Sequence, residues 1–196
     1  MTRWTRRQVA WTRPLAWIPL PLLLFLGAGC DGVRTIEPIG LEPVKLVPAE
    51  WEGRWTEDPT ECAAAPDGED EDRVVVIDAA SGTLQSRESG GDVYTYLLRT
   101  SPAPGLLFVT LREDEADEMV LGAVVRQAGH GVLLVWLAGP GAVNREVTDG
   151  RMAGGPGSSP LLLPQPEEVL RRMVTPDDTG LFEWQKPGVP LRCPEK

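Results

Sequence analysis

The chain has 196 residues and carries 29 acidic against 19 basic side chains, which gives a net charge of −10 at neutral pH. This length suits a single domain with a substantial hydrophobic core. The acidic balance argues against nucleic acid as a partner, because the phosphate backbone repels a negatively charged protein.

The first 29 residues have the layout of an export signal. Arginines are the only charged residues from Met1 to Arg13, and no charged side chain lies between Pro14 and Gly29. A basic start, an apolar centre and a small-residue end are typical of a segment that directs export and is then removed. The uncharged run is shorter than the roughly 20 apolar residues that span a bilayer. We therefore interpret residues 1–29 as a signal peptide.

The stretch Leu26-Gly27-Ala28-Gly29-Cys30 sets a cysteine directly after three small residues. It resembles the lipobox of bacterial lipoproteins, in which the cysteine thiol is lipidated and the chain is cut just before it. The resemblance implies that Cys30 is the lipidation site. Several acyl chains, such as palmitate, would then hold the mature protein on the periplasmic side of a cell-envelope membrane. The alternative is an ordinary signal peptide that ends before a cysteine. The export route and the choice between inner and outer membrane stay open.

Three prolines and few long apolar runs characterise residues 31–50. Proline stiffens the chain and cannot donate to a β ladder, so we expect residues 30–50 to form the lipidated cysteine and an extended tether. Removal of residues 1–29, which carry four arginines and no acid, changes the net charge to −14. We expect so acidic a domain to be repelled by anionic headgroups and to stand off from the membrane.

Short apolar runs separated by glycine and proline continue from residue 51 to residue 137. The first begins with Trp51, Gly53 and Trp55, whose alternation places all three on one face of a strand. Runs of this length at regular spacing predict sequential antiparallel hairpins. Further strands are predicted at Arg73–Asp78, Thr83–Glu88, Val93–Arg99, Leu106–Leu111, Met119–Arg126 and Val132–Leu137.

Helices are predicted towards the C-terminus. Pro140 occupies the first position of a helix over Pro140–Thr148, and Gly150 ends it. A second helix over 166–174 has proline and acids in its first turn and arginines near its end, as the helix dipole favours. Short strands are predicted at 161–163, 181–184 and 189–192.

These elements predict a mainly β (α+β) domain over residues 51–196. Its expected form is a small antiparallel barrel or sandwich of sequential hairpins, with one or two short helices towards the C-terminus.

Two cysteines, Cys62 and Cys193, accompany the proposed anchor. An exported chain meets an oxidising compartment, so the pair predicts a disulfide, with two unpaired thiols as the alternative. Two cysteines without a neighbouring histidine cannot complete a tetrahedral zinc shell. We therefore expect no metal here.

Gly53 and Trp55, which are separated by one residue at the start of the first strand, resemble the Gly-x-Trp signature of lipocalin-like barrels. In that family the tryptophan plugs one end of the barrel, and an arginine near the end of the last strand stacks across it by a cation–π contact. The resemblance implies that Trp55 and Arg192 form the barrel-closing pair. It also brings Cys193 close to Cys62, which supports the disulfide. The mature chain as a whole resembles uncharacterised lipocalin-like envelope lipoproteins.

Motifs of catalysis are missing from the sequence, including the nucleophile elbow, the dinucleotide fingerprint and the phosphate loop. The single histidine, His130, lies between two glycines, where we expect an exposed turn. The acidic runs at 67–72 and 113–118 are typical of solvated loops; a calcium loop or a pair of catalytic carboxylates is the less favoured alternative. We therefore expect neither enzymatic activity nor a cofactor.

The sequence thus predicts a lipid-anchored, non-enzymatic envelope protein whose barrel holds a small apolar or amphipathic ligand, as barrels of about eight strands can. The alternative is a structural or assembly lipoprotein that contacts an envelope protein. Trp136 and Trp184, if they cluster on the surface, would favour that alternative.

Overall fold

The computed structural model describes residues 32–63, 73–87, 92–112, 119–176 and 180–194. The predicted signal peptide and the proposed lipidation site Cys30 lie outside these residues, as do the acidic runs at 67–72 and 113–118.

Strands dominate the described residues, with four short helices between them. In chain order the elements are β1 (Val33–Thr35), α1 (Pro48–Trp51), β2 (Trp55–Thr56), α2 (Pro59–Ala63), β3 (Arg73–Asp78), β4 (Thr83–Arg87), β5 (Val93–Thr100), β6 (Leu107–Arg112), β7 (Met119–Gly129), β8 (Val132–Leu137), α3 (Pro140–Thr148), β9 (Gly154–Gly155), β10 (Leu161–Leu162), α4 (Glu167–Met173) and β11 (Leu191–Arg192).

Eight of the strands form a nearly closed antiparallel barrel in the order β2-β11-β8-β7-β6-β5-β4-β3. The remaining seam is bridged at one point, where Gly53 and Val74 exchange two backbone hydrogen bonds with N–O distances of 3.0 and 2.9 Å. From β3 to β8 each strand pairs with the next one along the chain. The predicted mainly β fold of sequential hairpins is confirmed.

Strand β7 is buried on both faces from Leu121 to Val125. Successive side chains of a strand point to opposite faces, so Ala123 and Val125 point into the barrel while Val124 points outwards. The outer face is covered by α3, whose Ala142, Val143 and Val147 are buried.

The structure therefore has two hydrophobic cores, one inside the barrel and one between its outer wall and the C-terminal helices. The inner core includes Leu46, Trp51, Trp55, Val74, Leu84, Tyr96, Leu98, Val109, Leu111, Ala123, Val125, Leu133 and Val135. The outer core includes Val33, Ile39, Phe108, Leu121, Val124, Trp136, Ala142, Val143, Val147, Met152, Leu162, Leu170, Met173, Val174, Leu181 and Phe182.

The start of the barrel differs from the prediction of a strand that begins at Trp51. Pro48 begins a four-residue helix, α1, which ends at Trp51. Gly53 then adopts a φ of 126°, a backbone conformation that disfavours other residue types. The chain changes direction at Gly53, between the two tryptophans. Both tryptophan side chains still line the inside of the barrel.

The tether predicted for residues 30–50 is wrong from Gly32 onwards. Strand β1 pairs with β7 on one side and with β10 on the other. Val33, Ile39 and Leu46 are only 1–3% exposed. Pro38 and Pro43 lie between these buried apolar residues, and Pro48 begins α1 just beyond them. The proline content therefore predicted a solvated tether where the chain in fact packs against the barrel.

A disulfide joins Cys62, in α2, to Cys193, which follows β11, with a Cα–Cα distance of 5.3 Å. The cysteines meet because β11 pairs with β2, which leads into α2. The bond spans 131 residues. In the chain-entropy model, closing such a loop stabilises the fold by about 5 kcal/mol, although measured values are often lower.

We expect the double variant Cys62→Ala/Cys193→Ala to lose about 2–5 kcal/mol of unfolding free energy, because its unfolded state regains the freedom of the open loop. Urea unfolding followed by tryptophan fluorescence measures the loss. Reductant should destabilise the original chain similarly and leave the double variant unchanged. An original chain that is insensitive to reductant would contradict the disulfide.

Candidate functional site

An apolar cavity of about 70 Å³ lies inside the barrel and is partly open to solvent. Every side chain around it is hydrophobic or aromatic, so it presents no charge to an occupant. The barrel strands contribute alternate residues to the cavity, as the strand period requires. Its lining consists of Trp51, Trp55, Val74, Leu84, Tyr96, Leu98, Val109, Ala123, Val125, Leu133, Val135 and Leu137.

Two tryptophans, from α1 and β2, contribute to the lining of this cavity. The side chains of Trp51 and Trp55 are 7% and 6% exposed. The indole Nε1–H of Trp55 donates to the backbone carbonyl of Trp51 at 2.9 Å. A buried indole normally finds such a partner, and this bond ties the end of α1 to the first barrel strand.

Arg192 lies directly opposite Trp55 in the register between β11 and β2. Its guanidinium donates to the carbonyl of Ala49 in α1. Its side chain runs close to Gly53 and Gly131, where a Cβ atom would lie 3.4 and 3.1 Å from it. Arg192 thus links α1 to β11. The predicted cation–π contact between Arg192 and Trp55 stays a prediction.

A buried hydroxyl lies on the inner face of β4, outside the set of residues that line the cavity. Ser86 follows Leu84 by two residues on β4 and is 3% exposed, so its side chain shares the inner face. Its hydroxyl has no hydrogen-bond partner within the described part of the chain. A buried hydroxyl without a partner costs about 1–3 kcal/mol.

A second, more polar cleft of about 280 Å³ lies beside Arg192. It contains Glu50, Gln127, His130 and Arg192 together with the glycines of the β7–β8 turn. His130 is exposed in that turn. Glu50 and Arg192 give the cleft both signs of charge.

Trp136 and Trp184 do cluster, but they do not form the exposed patch that the sequence suggested. Their ring centroids are 5.1 Å apart, and Phe182 packs against Trp184 at 5.7 Å. Trp136 is only 9% exposed and belongs to the outer core. The C-terminal segment covers these rings, because Phe182 bridges to Ala138 just after β8.

Glu146, a buried carboxylate in α3, has two arginine partners. Arg151 donates to it through Nε and Nη2 at 2.9 and 2.7 Å, and Arg172 in α4 donates at 3.1 Å. The hydrogen bond from Arg151 lowers the pKa of the Glu146 carboxyl below its ordinary value of 4.5, against the opposing effect of burial. Because both carboxylate oxygens are engaged, this cluster joins α3 to α4 and offers no free base.

Sequence reasoning missed the Glu146 cluster and the role of Trp51. No motif marks the cluster, since its members come from α3, the following turn and α4. The alternation in β7 and β8 does mark Ala123, Val125 and Leu133 as one face. That pattern could not show which face is the lumen, because both faces of these strands are apolar.

No group of three metal-ligating side chains occurs within residues 32–63, 73–87, 92–112, 119–176 and 180–194. Across the same residues, no helix has the length and apolar character needed to span a bilayer. No family model, curated protein or solved structure matches the chain. The lumen geometry and the sequence patterns therefore carry the functional proposals.

We expect Glu146→Gln to lower the unfolding free energy by about 2–3 kcal/mol near neutral pH, because two arginines lose a charged partner. The native pKa of Glu146 is depressed, so its contribution is complete above about pH 4.5 and is lost as the pH falls through that native pKa. Urea unfolding as a function of pH should show the two chains converging in acid.

Glu167→Gln is the matched control, because Glu167 forms an exposed pair with Arg171 at 2.6 Å. Such pairs contribute roughly 0.3–0.5 kcal/mol. Equal losses in the two variants would contradict a special role for the buried carboxylate.

Proposed function

We propose that this chain is a lipid-anchored, non-enzymatic protein of the cell envelope that holds a small apolar group in its barrel. The observation that carries the ligand part is the wholly apolar, partly open cavity inside a nearly closed eight-stranded barrel. Barrels of this strand number can enclose one small ligand. The lipocalin-like Gly53 and Trp55 signature supports the same proposal.

The size of the cavity limits the class of ligand. Pockets for drug-sized molecules measure about 300–1,000 Å³, and an engineered apolar cavity of about 150 Å³ in another protein takes up benzene. At about 70 Å³, this lumen suits the end of a hydrocarbon chain rather than a whole lipid.

The membrane part of the proposal rests on the export-signal layout and on Cys30. Intact mass of protein extracted from membranes tests it. We expect a chain that begins at Cys30 and carries acyl groups, because the thiol would be lipidated before cleavage. A Cys30→Ser variant should lack them and leave the membrane fraction. A chain that retains Met1 and has no added mass would contradict the anchor.

The ligand part is tested by filling the lumen with Ala123→Val. Ala123 is 4% exposed and lines the cavity, and valine is well suited to strands. Burying two more carbon atoms should raise the unfolding free energy by about 1 kcal/mol. We expect affinity for saturated fatty acids of increasing chain length, titrated by calorimetry, to fall at least tenfold.

Ala80→Val, at an exposed position in the β3–β4 turn, is the control and should leave the affinity unchanged. Fatty acids that bind the original chain and Ala123→Val equally would show that the ligand lies outside the lumen. No detectable binding to the original chain would contradict the ligand proposal and favour the assembly role.

The assembly alternative draws on the outer face of β3. Val75 and Ile77 are 36% and 54% exposed there, on the side of the barrel away from the helical cover. Two exposed β-branched side chains on one strand are a plausible contact for an envelope protein. Covalent cross-linking from position 77 in intact cells would capture such a partner.

A further inference from the structure

The distance between the proposed anchor and the folded domain is short. Gly32 packs against β7, where an added Cβ atom would lie 2.9 Å from Val120 Cγ1. Strand β1 starts at the next residue, and Val33 is 1% exposed. Two residue steps separate Cys30 from Gly32, and an extended chain covers at most about 3.6 Å per step. The domain surface around β1 is therefore within about 7 Å of Cys30.

The surface next to that point is a small sheet of β1, β10 and β9. β1 and β10 run parallel, with Arg34 beside Leu161 and Thr35 beside Leu162. Thr35 and Leu162 are fully buried, so the alternate residues face outwards. Ile36 and Leu163, at 47% and 37% exposed, are among the large apolar side chains that the described residues leave in solvent.

The charge distribution sets this surface apart from the rest of the molecule. Residues 153–166, which contain β9 and β10, include no charged side chain, although 24% of the whole chain is charged. Arg34, the outward residue of β1, is basic and exposed. The surface next to the anchor is thus apolar around β10, and on the β1 side it carries Arg34 and the neighbouring exposed acid Glu37.

We propose that this sheet face, defined by Arg34, Ile36, Leu161 and Leu163, rests on the phospholipid bilayer in the anchored protein. The inference depends on the lipidation of Cys30 proposed above. Two exposed apolar side chains bind a bilayer weakly by themselves. The short linker raises their effective concentration at the membrane, so weak contacts suffice to hold the orientation. The opposite wall of the barrel, including β3, faces away from the membrane.

A solvent-sensitive fluorophore attached at one position tests this orientation. Lipidated Leu163→Cys protein is labelled with a nitrobenzoxadiazole thiol reagent and placed in phosphatidylcholine nanodiscs. The native cysteines do not react, because one is acylated and two are joined in the disulfide. Ile77→Cys, on the exposed outer face of β3, is the matched control. Intact mass verifies the acyl groups of each sample.

We expect the label at position 163 to emit at shorter wavelength and to be reduced by dithionite several-fold more slowly than the label at position 77. Equal rates in a fully acylated protein would overturn the inference and leave the anchor intact. Protein that carries no acyl groups when it is isolated from cells would overturn both the proposed orientation and the proposed anchor. These outcomes are distinguishable by mass alone.

A spacer variant tests the role of the linker. Inserting about ten glycine and serine residues between Asp31 and Gly32 gives a flexible chain that lets the domain leave the surface. The dithionite rate at position 163 should then approach the rate at position 77. A rate at position 163 that stays slow despite the spacer would overturn the proposal that the short linker holds this face on the bilayer.

Discussion

The structure depends on the burial of both faces of β7. One face, with Ala123 and Val125, belongs to the lumen, and the other, with Val124, belongs to the outer core. Leu121 also joins the outer core, because the pairing of β6 with β7 skips Gly122 and reverses the alternation there. A strand with two apolar faces cannot be left at a surface, so it requires a closed wall on one side and a covering layer on the other. The hairpins provide the wall, and α3, α4 and the C-terminal segment provide the cover. On the side of β7 that faces β8, Met119–Leu121 extend beyond the end of β8 and pair with β1 instead.

Much of this arrangement could be predicted from local sequence patterns. The bounds of β3, β8 and α3 match the predictions, because β-branched runs between turns and a proline before a helix act over a few residues. The bend at Gly53 and the burial of Ile39 could not be predicted in this way. They are decided by contacts with Val74 and Thr110, far away in the chain. The same holds for the site, where Trp55 was identified by its motif and Trp51 only by the folded geometry.

The two cores carry different kinds of interaction. The outer core is stabilised by ring contacts among Phe108, Phe182, Trp136 and Trp184 and by the Glu146 cluster, which fixes the helices over the wall. The inner core retains an unfilled volume and the unpartnered hydroxyl of Ser86. Well-packed interiors leave few such voids. The lumen is therefore incompletely packed, and an apolar group placed there would add contacts.

The pairing of β2 with β11 also determines the order in which the protein can fold. The two strands come from opposite ends of the domain, and the Cys62–Cys193 bond spans 131 residues. Sequential hairpins from β3 to β8 can form as the chain emerges, since their contacts are local. The pairing of β11 with β2, which completes the barrel wall, cannot form until the C-terminal residues are present. Until they arrive, the apolar lumen is open along one side, and exposed apolar surface of this kind makes an incomplete chain prone to aggregation.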